Sequence, residues 1–295
     1  MDYSKVEDTN CSICNSNRYS IIADKVQFEM PYRTVICREC GFIYLNPIPV
    51  KKELNNFYTY EYKKYYGVPV EITDLSYKKR GYEIYEFIKE FTSTVNKILE
   101  IGAGGGGNLL GLSEKFNTNY LAAVEPGGSS NRSLLSGKIN VLGEFYDEEP
   151  LNIKEYDLII LSHILEHFYN PKKVLKKLWE ETSDEAIIYI AIPSLSAIDQ
   201  KKYSYHSALE DYWFRIVHLS YFHKQNILDL LEMTGWNMMK IHEKGNGELL
   251  IVVKKSSSLN ENREIKNVYD LHLEEVNFYR DSNDLKTKNR RESHG

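Results

Sequence analysis

The segment Lys97-Ile-Leu-Glu-Ile-Gly-Ala-Gly-Gly-Gly-Gly-Asn108 constrains this chain more than any other. Ile98, Leu99 and Ile101 form the apolar run expected of a parallel strand buried on both faces. The strand ends in five glycines within six residues, an entropic cost that a plain turn would not need. Glycines at such a junction let the backbone turn sharply and approach a ligand closely. Strand, loop and following helix therefore read as a nucleotide-cofactor site in a doubly wound α/β sheet. Gly102, Gly104 and Gly107 also satisfy the dinucleotide spacing G-x-G-x-x-G, so the loop alone leaves NAD open.

The flanks separate the two cofactors. The run Leu99-Glu-Ile-Gly-Ala-Gly-Gly-Gly resembles motif I of the class I S-adenosylmethionine-dependent methyltransferases. The resemblance implies that Glu100 faces the cofactor's methionine end, whose ammonium needs an anion, with Gly102, Gly104, Gly106 and Asn108 around it. A dinucleotide would instead bring a pyrophosphate to the helix N-terminus, where an added carboxylate repels it. A second strand, Asn119 to Glu125, ends in an acid about twenty residues past the loop, where a carboxylate can accept both ribose hydroxyls of either cofactor. Pro126 follows it. A third strand, Ile139 to Leu142, leads to Gly143 and Glu144, the place from which adenine contacts come in the family it resembles.

The fourth strand, Tyr156 to Ser162, exits into Ser162-His-Ile-Leu-Glu-His-Phe-Tyr-Asn-Pro171. That stretch resembles the L-E-H-x-x-x-P motif after strand four of the same methyltransferases, and dehydrogenases have no counterpart. It implies that Ser162 and His163 line the pocket below the methyl group while Glu166 and His167 open the next helix.

All four cysteines lie near the N-terminus, as Cys11-Ser-Ile-Cys14 and Cys37-Arg-Glu-Cys40, separated by 22 residues. Two such knuckles suit one tetrahedral zinc ion. Four thiolates leave no open position, so the metal would be structural. The pattern Cys37-x-x-Cys-Gly-Phe-Ile-Tyr-Leu-Asn-Pro47 resembles the zinc-binding module of a bacterial methyltransferase group. The best-known members are C-methyltransferases of deoxysugar nucleotides, with many relatives in surface-polysaccharide pathways. In that group aromatic residues after the module lie over the substrate, which makes Tyr62, Tyr65 and Tyr66 candidates here.

A helix with apolar positions Tyr82, Ile84, Tyr85, Ile88 and Phe91 precedes the glycine strand, and a fifth strand spans Ala186 to Pro193. Beyond it an aromatic, weakly periodic insert runs from Ser194 to about Leu219. Long irregular segments within a domain often form substrate walls, so Tyr205, Tyr212 and Arg215 are taken as substrate residues. His218-Leu-Ser-Tyr-Phe-His-Lys-Gln is similar to the family's E-H-x-x-x-F-S stretch, whose histidine is the base. Val217 stands where the acid belongs. His218 and His163 are the candidate catalytic residues, with His206 and His223 behind them.

The expected fold is α/β: a Rossmann-like seven-stranded methyltransferase sheet with a small zinc module. The expected divisions are 1–48 (zinc module), 49–95 (aromatic linker and helices), 96–255 (methyltransferase domain with insert 194–219) and 256–295 (polar tail, partly helical). Of its 295 residues 42% are hydrophobic and 27% charged, with no apolar run of membrane-spanning length and no leader-like N-terminus, so a cytoplasmic location is expected. A net charge of −5 with scattered basic doublets disfavours nucleic acid as a partner. The expected activity is S-adenosylmethionine-dependent O-methylation of a sugar, nucleotide-sugar or phosphate-like group in capsule or surface-glycan synthesis. A sugar C-methyltransferase, an RNA methyltransferase and a non-catalytic cofactor-binding module are the rival readings. The sugar C-methyltransferases carry a much longer C-terminal domain than residues 256–295 supply. Oligomeric state is left open.

Overall fold

The strands of the cysteine-bearing N-terminal region are β1 (Val6–Glu7), β2 (Tyr19–Gln27), β3 (Met30–Cys37), β4 (Ile43–Leu45) and β5 (Ile48–Pro49). A continuous helical stretch follows: α1 (Lys51–Asn56), a π-helical turn (Phe57–Glu61) and α2 (Tyr62–Tyr66). Next come α3 (Leu75–Ile88), β6 (Lys97–Ile101), α4 (Gly107–Phe116), β7 (Tyr120–Val124), β8 (Ile139–Gly143) and β9 (Leu158–Ser162). Then α5 (Pro171–Glu181), β10 (Ile187–Ile198), β11 (Ser220–Tyr221), α6 (Lys224–Met233), β12 (Trp236–Glu243), β13 (Asn246–Lys255) and α7 (269–279) complete the chain. This computed structural model describes residues 4–27, 29–66, 75–127, 137–198, 214–257 and 263–279, the side chains at 63, 66 and 75–77 excepted.

Seven strands form the main sheet in the order β12-β13-β10-β9-β6-β7-β8. β6 to β10 are parallel, and β13 runs antiparallel between β10 and β12. Because β6 pairs with β7 on one side and β9 on the other, the strand order reverses at β6, and a crevice opens past the carboxyl ends of these strands.

Alternation along each strand supplies both faces of the core. Ile98 packs with Ile84, Ile88, Leu109 and Leu112 of α3 and α4, whereas Leu99 and Ile101 pack with Val174, Leu175 and Leu178 of α5. Asn170 caps α5 by accepting the Lys173 amide, with Pro171 at the first helical position. The L-E-H segment is therefore not the start of that helix, as expected, but a separate 3-10 turn at Leu165–His167.

A second sheet, β11-β4-β3-β2, crosses the expected domain divisions. Ser220 and Tyr221, far along the chain, pair with Tyr44 and Ile43 of the cysteine module. α7 docks on the same module, where His272 donates from Nδ1 to the Gly41 carbonyl at 2.9 Å. Strand β10 continues through Ile198, so the insert expected from Ser194 is strand over its first residues; 199–213 lie outside the described residues. The edge runs on because Ile198 still pairs with Asn246 across a register shift.

Candidate active site

The glycine loop places its two acids differently. Glu100 is buried, with Oε1 accepting from Asn108 Nδ2 at 2.6 Å and Oε2 buried without a partner among the described residues. Burial raises its carboxyl to about 8, against the Asn108 hydrogen bond and the Arg80 charge that favour ionisation. Glu125, just past β7, accepts the Gly104 amide at 2.9 Å. Gly102 (φ +76°) has no room for a side chain, since a Cβ would stand 2.7 Å from Ile164. Gly104 (φ +52°) meets nothing within 4 Å and faces open space. Gly106, also left-handed, caps α4.

Beside the loop, Gly102, Pro126 and Glu144 line a narrow apolar cleft of ≈ 70 Å³ with Ile101, Val124 and Phe145. Glu149 packs on Gly143 and accepts the Glu144 amide at 2.9 Å, a role the sequence reading did not foresee. A buried acid with one oxygen unpartnered among the described residues, an acid past β7 bonded to the glycine loop, a left-handed glycine with open space around it and an apolar slot beside the loop fit the ammonium, ribose and adenine of S-adenosylmethionine. Ser162 is turned elsewhere: its hydroxyl accepts from Arg80 Nε at 2.9 Å.

A polar crevice of ≈ 380 Å³ adjoins this cleft, and His167 lines both. The expected residues Tyr62, His163, Arg215 and His218 line it, together with Arg80, Glu166 and Glu248. Tyr65 instead stacks on Phe57 at 6.0 Å on the helix surface. The side chain of Tyr66, and Tyr205, His206 and Tyr212 entirely, lie outside the described residues. His223 is a helix cap, its Nδ1 accepting the Gln225 amide at 3.0 Å.

The two catalytic candidates are in opposite states. His163, a non-glycine residue at φ 55°, contacts Glu248 Oε1 through Nε2 at 2.7 Å and stands 3.5 Å from Glu166. Its side chain is 41% exposed to the crevice, so desolvation yields to the two carboxylates and its value rises to about 9. It is a cation at neutral pH. His218 is pushed down to about 3 by desolvation and by neighbouring His167, so its ring is neutral. Glu166 is 1% exposed, and although burial opposes ionisation, His163 and the adjoining histidines bring it down to about 2. Arg80 clamps Glu248 while its Nε reaches Ser162, tying α3 to the crevice floor. Tyr58 donates to the Val217 carbonyl at 3.1 Å and holds the wall beside His167. No local motif marks Arg80, Glu248 or Tyr58; the first two are found only through the crevice they share, and Tyr58 only through the neighbouring cleft.

The four cysteine sulfurs lie within 4.8 Å of one another, with Cys11–Cys40 at 3.5 Å and Cys14–Cys37 at 3.4 Å. These separations are too long for disulfides and close to the ~3.8 Å edge of a zinc–thiolate tetrahedron with ~2.3 Å bonds. The donor set fits a structural zinc ion.

Among the described residues, no helix is long and apolar enough to cross a membrane. Sequence comparison with curated proteins finds no match. Among solved structures, the chain is similar to the PH0226 protein of Pyrococcus horikoshii (14% identity, 66% of this chain and 99% of that one, TM-score 0.51). Two further similarities are to a Nostoc punctiforme protein assigned as an O-methyltransferase (16%, 60% and 56%, TM-score 0.46) and to PigF with SAH (19%, 68% and 68%, TM-score 0.48). The chain thus spans little more than half the length of the Nostoc protein, 56%. A family model described as a methyltransferase domain matches residues 77–241, more than half of the sequence and all of the cofactor half of the sheet. With its sheet order and its glycine loop, the chain belongs to the methyltransferase domain family and has the S-adenosylmethionine-dependent methyltransferase fold.

Proposed function

We propose that this protein transfers the methyl group of S-adenosylmethionine to an oxygen of a small acceptor, a sugar, nucleotide-sugar or phosphate-like group, in capsule or related surface-glycan synthesis. One observation carries the reading: a polar, histidine-lined crevice of ≈ 380 Å³ meets the cofactor cleft at His167. A crevice of that size suits one small polar ligand. The glycan pathway rests on the likeness of Cys37 to Pro47 to the sugar-methyltransferase zinc module.

In this reading Glu100 takes the cofactor's ammonium, Glu125 its ribose hydroxyls, and Pro126, Gly143 and Glu144 frame the adenine. The bound cofactor supplies an electrophilic methyl carbon. The protein holds the acceptor oxygen in line with it and excludes water. His163 and Arg215 offer positive charge to an anionic acceptor, and neutral His218 offers a lone pair toward the acceptor hydroxyl. Tyr62 forms a wall, as would Tyr205 and Tyr212. A zinc ion on Cys11, Cys14, Cys37 and Cys40 holds the module that carries β11.

The test is incubation with isotopically labelled methyl donor and nucleotide-sugar or polysaccharide fractions, followed by mass spectrometry. Labelled O-methyl product is expected, with His218→Ala and His163→Ala each losing about 100-fold in turnover. Tight S-adenosylhomocysteine binding without transfer to any such fraction would retire the acceptor class, and full turnover in both variants would retire the histidines.

A further inference from the structure

Where the two cavities meet, three side chains point lone pairs at one another. Glu166 is 1% exposed, and among the described residues neither of its oxygens has a hydrogen-bond partner; His163 Nδ1, at 3.5 Å, is off hydrogen-bond geometry. His167 Nδ1 lies 2.8 Å from the Val217 carbonyl, which can only accept, so Nδ1 carries the proton and Nε2 keeps its lone pair. That Nε2 stands 3.9 Å from Glu166 Oε1, beyond a hydrogen bond. The His218 ring lies 5.0 Å from that of His167, and its buried Nδ1 has no partner among the described residues. One ligand atom from each of the three residues falls within 4.8 Å of the others. The His163 cation stands 3.5 Å from Glu166, but His167 Nε2 and His218 Nδ1 face no donor among the described residues; acceptors left so are costly in a buried site, and a cation shared by the three removes the cost.

We propose that Glu166, His167 and His218 bind one divalent transition-metal ion of the zinc class, with its open positions toward the acceptor crevice. Ligands bonded at ~2.0–2.2 Å to a common ion stand ~3–4 Å apart, which the observed 3.9 Å satisfies. Two imidazoles and one carboxylate suit zinc, iron(II) or cobalt(II) and are poor for the oxygen-seeking calcium and magnesium. The Val217 carbonyl fixes the His167 tautomer, as a metal-bound imidazole requires. Three protein ligands leave room for a water or an acceptor oxygen, unlike the closed cysteine cluster.

This inference rests on the crevice being the acceptor site and refines the part of His218, which acts on the acceptor oxygen through the ion rather than by taking its proton. A metal-bound hydroxyl ionises at lower pH, its proton passing to crevice water. The oxygen lone pair then forms the C–O bond, and the C–S electrons remain on sulfur.

The experiment is a cobalt(II) titration of the full chain, with metal content checked by mass spectrometry and S-adenosylhomocysteine affinity measured on the same samples. Two equivalents per chain are expected: one with a thiolate-to-metal charge-transfer band, and one with weak visible bands alone. Glu166→Gln, nearly isosteric, and His218→Ala should each weaken the second equivalent at least tenfold and keep the thiolate band, which reports that the fold survives. A single equivalent in the wild type, or a second equivalent unmoved by both variants, overturns the site. If S-adenosylhomocysteine still binds in that case, the ion fails and the methyl-transfer reading stands. If it does not bind, the methyl-transfer reading fails whatever the metal count.

Discussion

Glu100 holds a proton that water would remove. Its carboxyl is raised from 4.5 to about 8 by burial, so the fold keeps the proton between those values. A raised folded-state value means that stability from this group is complete below about pH 4.5 and is lost as pH climbs through 8. The ligand-free protein is expected to lose up to about 1.4 kcal/mol per pH unit from this group within that window, and Glu100→Gln to flatten the slope, as urea denaturation at several pH values will read. The cofactor's ammonium reverses the preference. Calorimetry at pH 7 in buffers of different ionisation heat should show proton release on S-adenosylmethionine binding by the wild type and none by the variant; equal release by both removes Glu100 from the site. The loop glycines separate in the same way. Gly104→Ala, which meets only its left-handed backbone, should cost about 1–2 kcal/mol, while Gly102→Ala adds the collision with Ile164 and should cost roughly 1–3 kcal/mol more. Both acids and both glycines stand out in the sequence because they lie within one short strand–loop–helix–strand unit, β6 to the end of β7. Ser162 was legible as a position but not in its partner, since Arg80 arrives from another element.

The buried parallel strands announced themselves through unbroken apolar runs, and α5 through its Pro171 start and apolar stripe. Element ends were less visible. The expectation of helix from Glu166 missed the 3-10 turn because Asn170, a strong N-cap, starts the helix later. The continuation of β10 to Ile198 depends on pairing with β13, which no local pattern records. Close packing of α3 on α4 is another such feature: a Cβ on Gly81 would be driven into the Asn108 carbonyl, and one on Gly111 into that of Lys78. Gly111→Ala should therefore cost about 1–3 kcal/mol in urea denaturation despite its better helix propensity, by pushing α3 and Arg80 off the sheet. A stabilised variant would show that the helices slide freely.

At the scale of the molecule, the cysteine cluster supports more than its own module. Cys11, Cys37 and Cys40 share a core with Leu99 of the main sheet and Phe222 beyond β11, and α7 rests on the Gly41 turn. Stripping metal with a chelator, or Cys37→Ser, should raise hydrogen exchange in β2 to β4, β11 and α7, and abolish turnover by displacing His218. S-adenosylhomocysteine affinity should change less than turnover, because the ends of β6 to β8 supply half of the cleft lining, while Lys51, Leu54, Asn55 and Tyr58 next to the module supply only part of the rest. Unchanged exchange in β11 would break the link between module and crevice. The sequence by itself determined the sheet, the glycine loop with its flanking acids and the pairing of the cysteines into one cluster, because each depends on residues close in the chain whose spacing sets strand, turn and knuckle. Only the tertiary structure decided the polar crevice. Val217 precedes His218 in the chain, and the acid near that histidine is Glu166 from the turn after β9, with Arg80 and Glu248 brought to the same crevice from α3 and β13. Long-range packing, not spacing, sets those distances, and with them which histidine is charged and which is neutral.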